Sequence, residues 1–115
     1  MKKIFYLKTC DTCKRILKSI PIEGFELQEI KSEPITLEQL ELLKNISGSY
    51  ESLFSRRAKK YKSMGLKGQK LSELDIKQLI LSDYTFLKRP VIVDEDKIFI
   101  GSDKNNLASL KDHFN

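Results

Sequence analysis

The 115-residue chain has only two cysteines, Cys10 and Cys13, and a single histidine, His113. A tetrahedral zinc site needs about four nitrogen or sulfur ligands, which two thiols and one isolated histidine in the terminal segment do not supply. No metal is expected, and His113 reads as a surface or packing residue. Two cysteines are also too few for a disulfide framework, and a chain of this size buries roughly two-thirds of its unfolded surface without staples. No apolar run approaches the roughly 20 residues of a membrane span. Met1-Lys2-Lys3 leads into only four apolar residues, unlike a secretory leader, so a cytoplasmic location is expected. Repeats, low-complexity tracts and flexible linkers are absent, which makes 1–115 one domain by expectation. The net charge of +5 is not accompanied by zinc-finger spacing, an RNA-binding aromatic motif or a helix-turn-helix signature. Direct nucleic-acid binding is therefore not expected.

What the chain does have is Cys10-Asp11-Thr12-Cys13, between the strand-like Ile4-Phe5-Tyr6-Leu7 and the helix-like Lys14-Arg15-Ile16-Leu17. A thiol at a helix start meets unpaired backbone N–H groups and the positive end of the helix dipole, and both favour thiolate. Cys10 is the candidate nucleophile. Cys13, about one turn on, is placed to attack a mixed disulfide or an oxidised Cys10. The ordinary alternative for either residue is a small buried hydrophobe. It weighs more on Cys13, which shares a helical stripe with Ile16, Leu17 and Ile20.

Along the chain, Ile4–Leu7 reads as a buried strand, the next segment as a helix closed by Pro21, and 25–30 as a second strand. Thr36 is a good N-cap for a helix carrying Leu40, Leu43 and Ile46, interrupted at Ser47-Gly48-Ser49. Further helices are expected at about 52–64 and 72–84, the last capped by Ser72 with Leu79 and Ile80 inward. Val91-Ile92-Val93 and Lys97–Gly101, joined by Asp94-Glu95-Asp96, read as a hairpin before a final helix bearing Leu107, Leu110 and Phe114. The order β-α-β, helical insertion at about 36–84, β-β-α predicts an α/β, thioredoxin-like fold with a mixed four-stranded sheet. Arg89-Pro90 precedes the hairpin, and Pro90 is a candidate cis-proline that would bring backbone groups beside the thiol loop. Arg56-Arg57-Ala58-Lys59-Lys60-Tyr61-Lys62 places five positive charges in seven residues without an acid. That run suits an anionic substrate or acidic partner, or simply a solvated helix face.

These residues together resemble the arsenate reductase-like (ArsC/Spx) family, whose members include Spx-type transcriptional regulators and a short, related branch. The resemblance spans essentially the whole chain. It rests on Ile4 to Arg15, on Leu53-Phe54-Ser55-Arg56-Arg57 with Tyr61 and Leu66, and on Leu87-Lys88-Arg89-Pro90-Val91-Ile92-Val93. It implies that Cys10 is the reactive thiol, that Cys13 is a resolving thiol as in the Spx-type pattern, and that Arg57 and Arg89 bind an anionic substrate. It implies no bound cofactor, with glutathione, glutaredoxin or thioredoxin as external reductant. Gly101 stands where true arsenate reductases carry a further oxyanion-binding arginine. Losing one charge-assisted contact of that kind weakens anion binding by roughly 1.5–3 kcal/mol. The Spx-type pattern implies a different partner, the α subunit of RNA polymerase, through a surface that includes a glycine near Gly48.

Overall fold

A computed structural model describes residues 1–115. The elements run β1 (Lys2–Tyr6), α1 (Asp11–Ser19), β2 (Glu26–Glu29), α2 (Leu37–Ser47), α3 (Lys59–Ser63), α4 (Glu73–Ser82), β3 (Val91–Asp94), β4 (Lys97–Ile100) and α5 (Lys104–Phe114). They fall into two compact units, Met1–Glu33 with Arg89–Asn115, and Pro34–Lys88.

The first unit is built on the mixed four-stranded sheet that the residue pattern predicts, in the order β2-β1-β3-β4. β1 pairs with β2 in parallel and with β3 antiparallel, and β3 pairs with β4 as the hairpin. Central strands are covered on both faces, which is why Ile4, Phe5, Val91, Ile92 and Val93 are consecutive buried residues rather than an alternating pattern. Ile4 and Ile92 pack with Ile16 of α1 and with Phe99 and Leu110 of β4 and α5. This core fixes the start of α1 at the end of β1, where the thiols lie. The hairpin turn is shorter than expected: Asp94 stays in β3 opposite Lys97, leaving Glu95-Asp96 as a two-residue connection with Glu95 at φ 56°. Asp94 is held in the strand by His113 at 2.8 Å, with Lys2 at 3.9 Å.

The second unit is helical. Thr36 caps α2 and Ser72 caps α4, each through a reciprocal capping box, with Gln39 and Asp75 respectively. Gly48 ends α2 at φ 98°, its N–H donating to the Lys44 carbonyl at 2.7 Å. That left-handed cap by itself accounts for glycine at this position.

The single helix expected over 52–64 is not formed. A 3-10 turn at Glu51–Leu53 gives way to extended backbone at Phe54, and α3 begins only at Lys59. The reason is tertiary. Phe54 bridges to Leu87, Ser55 N–H donates to the Phe86 carbonyl (2.7 Å) and Lys88 N–H to the Leu53 carbonyl (2.8 Å). Phe54 and Phe86, both buried, stack at 5.6 Å. Helical propensity over these residues yields to that pairing. Across the molecule no helix is long and apolar enough to cross a membrane.

Candidate functional site

β1 ends at Tyr6, and the chain turns through Leu7-Lys8-Thr9 to deliver Cys10 as the N-cap of α1. The Cys10 N–H donates to the Leu7 carbonyl (3.1 Å), and the Cys10 carbonyl accepts the first helical bond from Lys14 N–H (3.1 Å). Its Sγ takes the place of the usual capping oxygen and accepts from Cys13 N–H at 3.5 Å. A sulfur held there is bathed in N–H dipoles. Cys10 is half-buried, Cys13 is fully buried, and both are free thiols.

The two thiols are driven apart in acidity. Burial works to raise the Cys10 pKa, but it is outweighed by hydrogen bonds from the Cys13 backbone and thiol, the charge of Arg89 and the Thr12 N–H, leaving the thiol below its ordinary value. For Cys13, burial dominates. Opposed by a backbone hydrogen bond from Leu7 and helped by the neighbouring Cys10 sulfur, it pushes the thiol up to about 12. Cys10 is therefore the more acidic thiol of the pair, and Cys13 the one that burial keeps protonated.

Arg89 is half-buried and Pro90 buried, and the peptide bond between them is cis. The Pro90 carbonyl accepts from Gly101 N–H at 2.8 Å, and the Gly101 carbonyl accepts from the Asn106 side chain at 2.7 Å. Gly101 is buried at φ 82°. It offers backbone, and no side chain, at the end of the hairpin. Cys10, Cys13, Arg89 and Pro90 all belong to the first unit, whereas Arg57 lies in an exposed turn of the second. Within that unit, Arg56 pairs with Glu51 and Lys60 with Asp83, while Arg57 takes no part in an ion pair.

A groove of about 780 Å³ runs between α1 and α5, lined by residues that include Thr12, Arg15, Ile20, Leu107 and Phe114. Neither cysteine lines it. Glu29, a residue that the sequence pattern did not single out, is tied directly into the thiol loop: its carboxylate accepts from Lys8 N–H at 2.8 Å. A glutamate at the end of an alternating strand looks like any solvated polar residue, so nothing local signals this.

Comparison with known proteins places these features in context. The family described as the ArsC family matches residues 5–110. YusI of Bacillus subtilis is 29% identical over 102 residues, covering 84% of this chain and 86% of YusI. The global transcriptional regulator Spx of Streptococcus agalactiae is 26% identical over 113 residues, covering 96% of this chain and 82% of Spx. An arsenate reductase structure from Vibrio cholerae superposes with a TM-score of 0.77 at 15% identity, over 95% of this chain and 96% of that one. At that identity the likeness speaks for the fold.

Proposed function

We propose that this chain, which belongs to the ArsC family, is a thiol-dependent oxidoreductase in which Cys10 attacks and Cys13 resolves. The observation that carries the reading is the placement of two free thiols at the start of α1, Cys10 as the N-cap with its Sγ accepting from Cys13 N–H and Cys13 buried behind it, a placement that draws their acidities apart. A nucleophilic sulfur must be thiolate at neutral pH, and only Cys10 is drawn that way. The Cys10 thiolate attacks a sulfur of a disulfide substrate, forming a mixed disulfide and expelling the other sulfur as thiolate. While Cys10 carries its charge, Cys13 keeps its proton. Once Cys10 is consumed in the mixed disulfide, its charge no longer opposes ionisation of Cys13, which attacks Cys10, forms the Cys10–Cys13 disulfide and releases the reduced substrate. An external thiol such as glutathione, or a glutaredoxin or thioredoxin, returns the pair to dithiol.

Arg89 supplies positive charge for an anionic substrate, and Arg57, exposed and outside any ion pair, is assigned to the same task. Arsenate is expected to be a poor substrate, because Gly101 supplies only backbone where true arsenate reductases place a third arginine. Thiol-coupled turnover with a panel of oxidants, arsenate included, tests the reading. Cys10→Ser is expected to abolish turnover, and Cys13→Ser to trap a mixed disulfide or change the reductant required. Full turnover by Cys10→Ser would sink the assignment.

A second reading draws on the likeness to Spx over 96% of this chain. In it, the Cys10–Cys13 pair acts as a redox switch on binding to the RNA polymerase α subunit. A pull-down with that subunit under reducing and oxidising conditions decides it, and absence of binding in both removes it.

A further inference from the structure

We propose that Glu29 is a positioning residue for the Cys10 thiol, acting through the peptide plane between Leu7 and Lys8. This rests on Cys10 being the reactive thiol and adds how its loop is held.

Glu29 closes β2 opposite Tyr6 of β1. Its two carboxylate oxygens do different things. Oε1 accepts from Lys31 N–H (3.0 Å), Ser32 N–H (2.8 Å) and the Ser32 hydroxyl (2.9 Å), closing the turn after β2. Oε2 reaches across to Lys8 N–H at 2.8 Å. The first set is ordinary turn capping, but the second bond leaves the strand's own neighbourhood and grips the thiol loop.

The Lys8 N–H and the Leu7 carbonyl are two ends of one planar peptide group, so holding one sets the direction of the other. That carbonyl accepts the Cys10 N–H at 3.1 Å, and the Cys10 sulfur accepts Cys13 N–H at 3.5 Å. Glu29, the Leu7–Lys8 plane, Cys10 and the first turn of α1 thus form one chain of constraints. If the plane swings, Cys10 loses its anchor and its sulfur leaves the N–H groups that favour thiolate. Three backbone donors hold the Glu29 carboxylate well below the usual carboxylate range, at about 2, so the brace stays charged across the neutral range.

The test is the pH dependence of Cys10 alkylation by iodoacetamide on the full chain, resolved by peptide mass spectrometry, for wild type, Glu29→Gln and Ser32→Ala. Glutamine keeps the shape but has one acceptor oxygen instead of two, so it cannot serve both sides. The expected result is an upward move of the Cys10 inflection in Glu29→Gln by about half a pH unit or more, roughly a threefold loss of thiolate below the inflection. Ser32→Ala, which removes only a turn-side bond, is expected to leave it in place. The sign is decisive: removing a negative charge without losing position would move the inflection down. A native-like melt with an unmoved or lowered inflection overturns the proposal. Amide exchange in the wild-type protein checks it without a variant, since a Lys8 amide exchanging at the rate of a free loop amide also overturns it. An ordinary thiol inflection in the wild type overturns the activated-thiol reading itself, which no result on Glu29→Gln alone could do.

Discussion

Cys10 and Cys13 are three residues apart and share a helix, yet one is acidified and the other silenced. The difference is position on that helix: Cys10 precedes it and collects N–H donors, while Cys13 points into the core from its first turn. Alkylation of the native protein is expected to modify Cys10 with an inflection below that of an ordinary thiol and to leave Cys13 unmodified at neutral pH. Cys13→Ala and Arg89→Ala should each raise the Cys10 inflection, because each removes an interaction that lowers it. Stopped-flow or mass-spectrometric rates against pH measure both. The position of Cys10 at the start of α1 was legible from its place between a strand-like and a helix-like run. The silencing of Cys13 was legible only as a position on the stripe of Ile16 and Ile20, and its degree depended on how completely the sheet covers that stripe.

Among the elements, local sequence specified those with strong ends. Thr36 and Ser72 act as the caps their residue types favour, and Asp103 caps α5 by accepting from Asn106 N–H at 2.8 Å. Thr36→Ala is expected to cost about 0.5–2 kcal/mol in urea denaturation, the usual worth of an N-cap. The segment after Leu53 is the opposite case. Its residues tolerate helix, but Phe54 gains more from stacking on Phe86 and bridging to Leu87. Phe54→Ala should cost about 3–5 kcal/mol, as for a fully buried phenylalanine, and the same denaturation series reads it. Both partners lie more than 30 residues away in sequence, beyond the reach of any periodicity. Gly101 belongs to this scale as well. At φ 82° and buried, it resists any side chain, so Gly101→Arg is expected to lower the melting temperature rather than create an arsenate site.

At the scale of the whole molecule, carboxylates held below their ordinary pKa make stability depend on pH. Backbone hydrogen bonds from Lys8 and Ser32 lead in holding Glu29 at about 2. Burial pushes Asp83 the other way, but its hydrogen bonds from Lys60 and Thr85 prevail and hold it at about 2 as well. In an unfolded chain such groups titrate near their ordinary values of about 4. Their contribution is therefore present in full above pH ~4.5 and is lost as the pH falls towards about 2. Melting temperatures are expected to fall through that window in the wild type. Glu29→Gln with Asp83→Asn should lower the neutral-pH melting temperature and flatten the acid limb.

By itself the sequence determined the α/β order and the core stripes and pointed to Cys10 as the candidate nucleophile, because each is written in neighbouring residues: periodicity, caps, dipoles at a helix start. Only the tertiary structure decided that Phe54 leaves its helix, that Glu29 holds the thiol loop and that Cys13 is pushed to about 12. Those outcomes depend on partners or cover brought from distant parts of the chain, and the burial and hydrogen bonds that produce them exist only once the chain has folded.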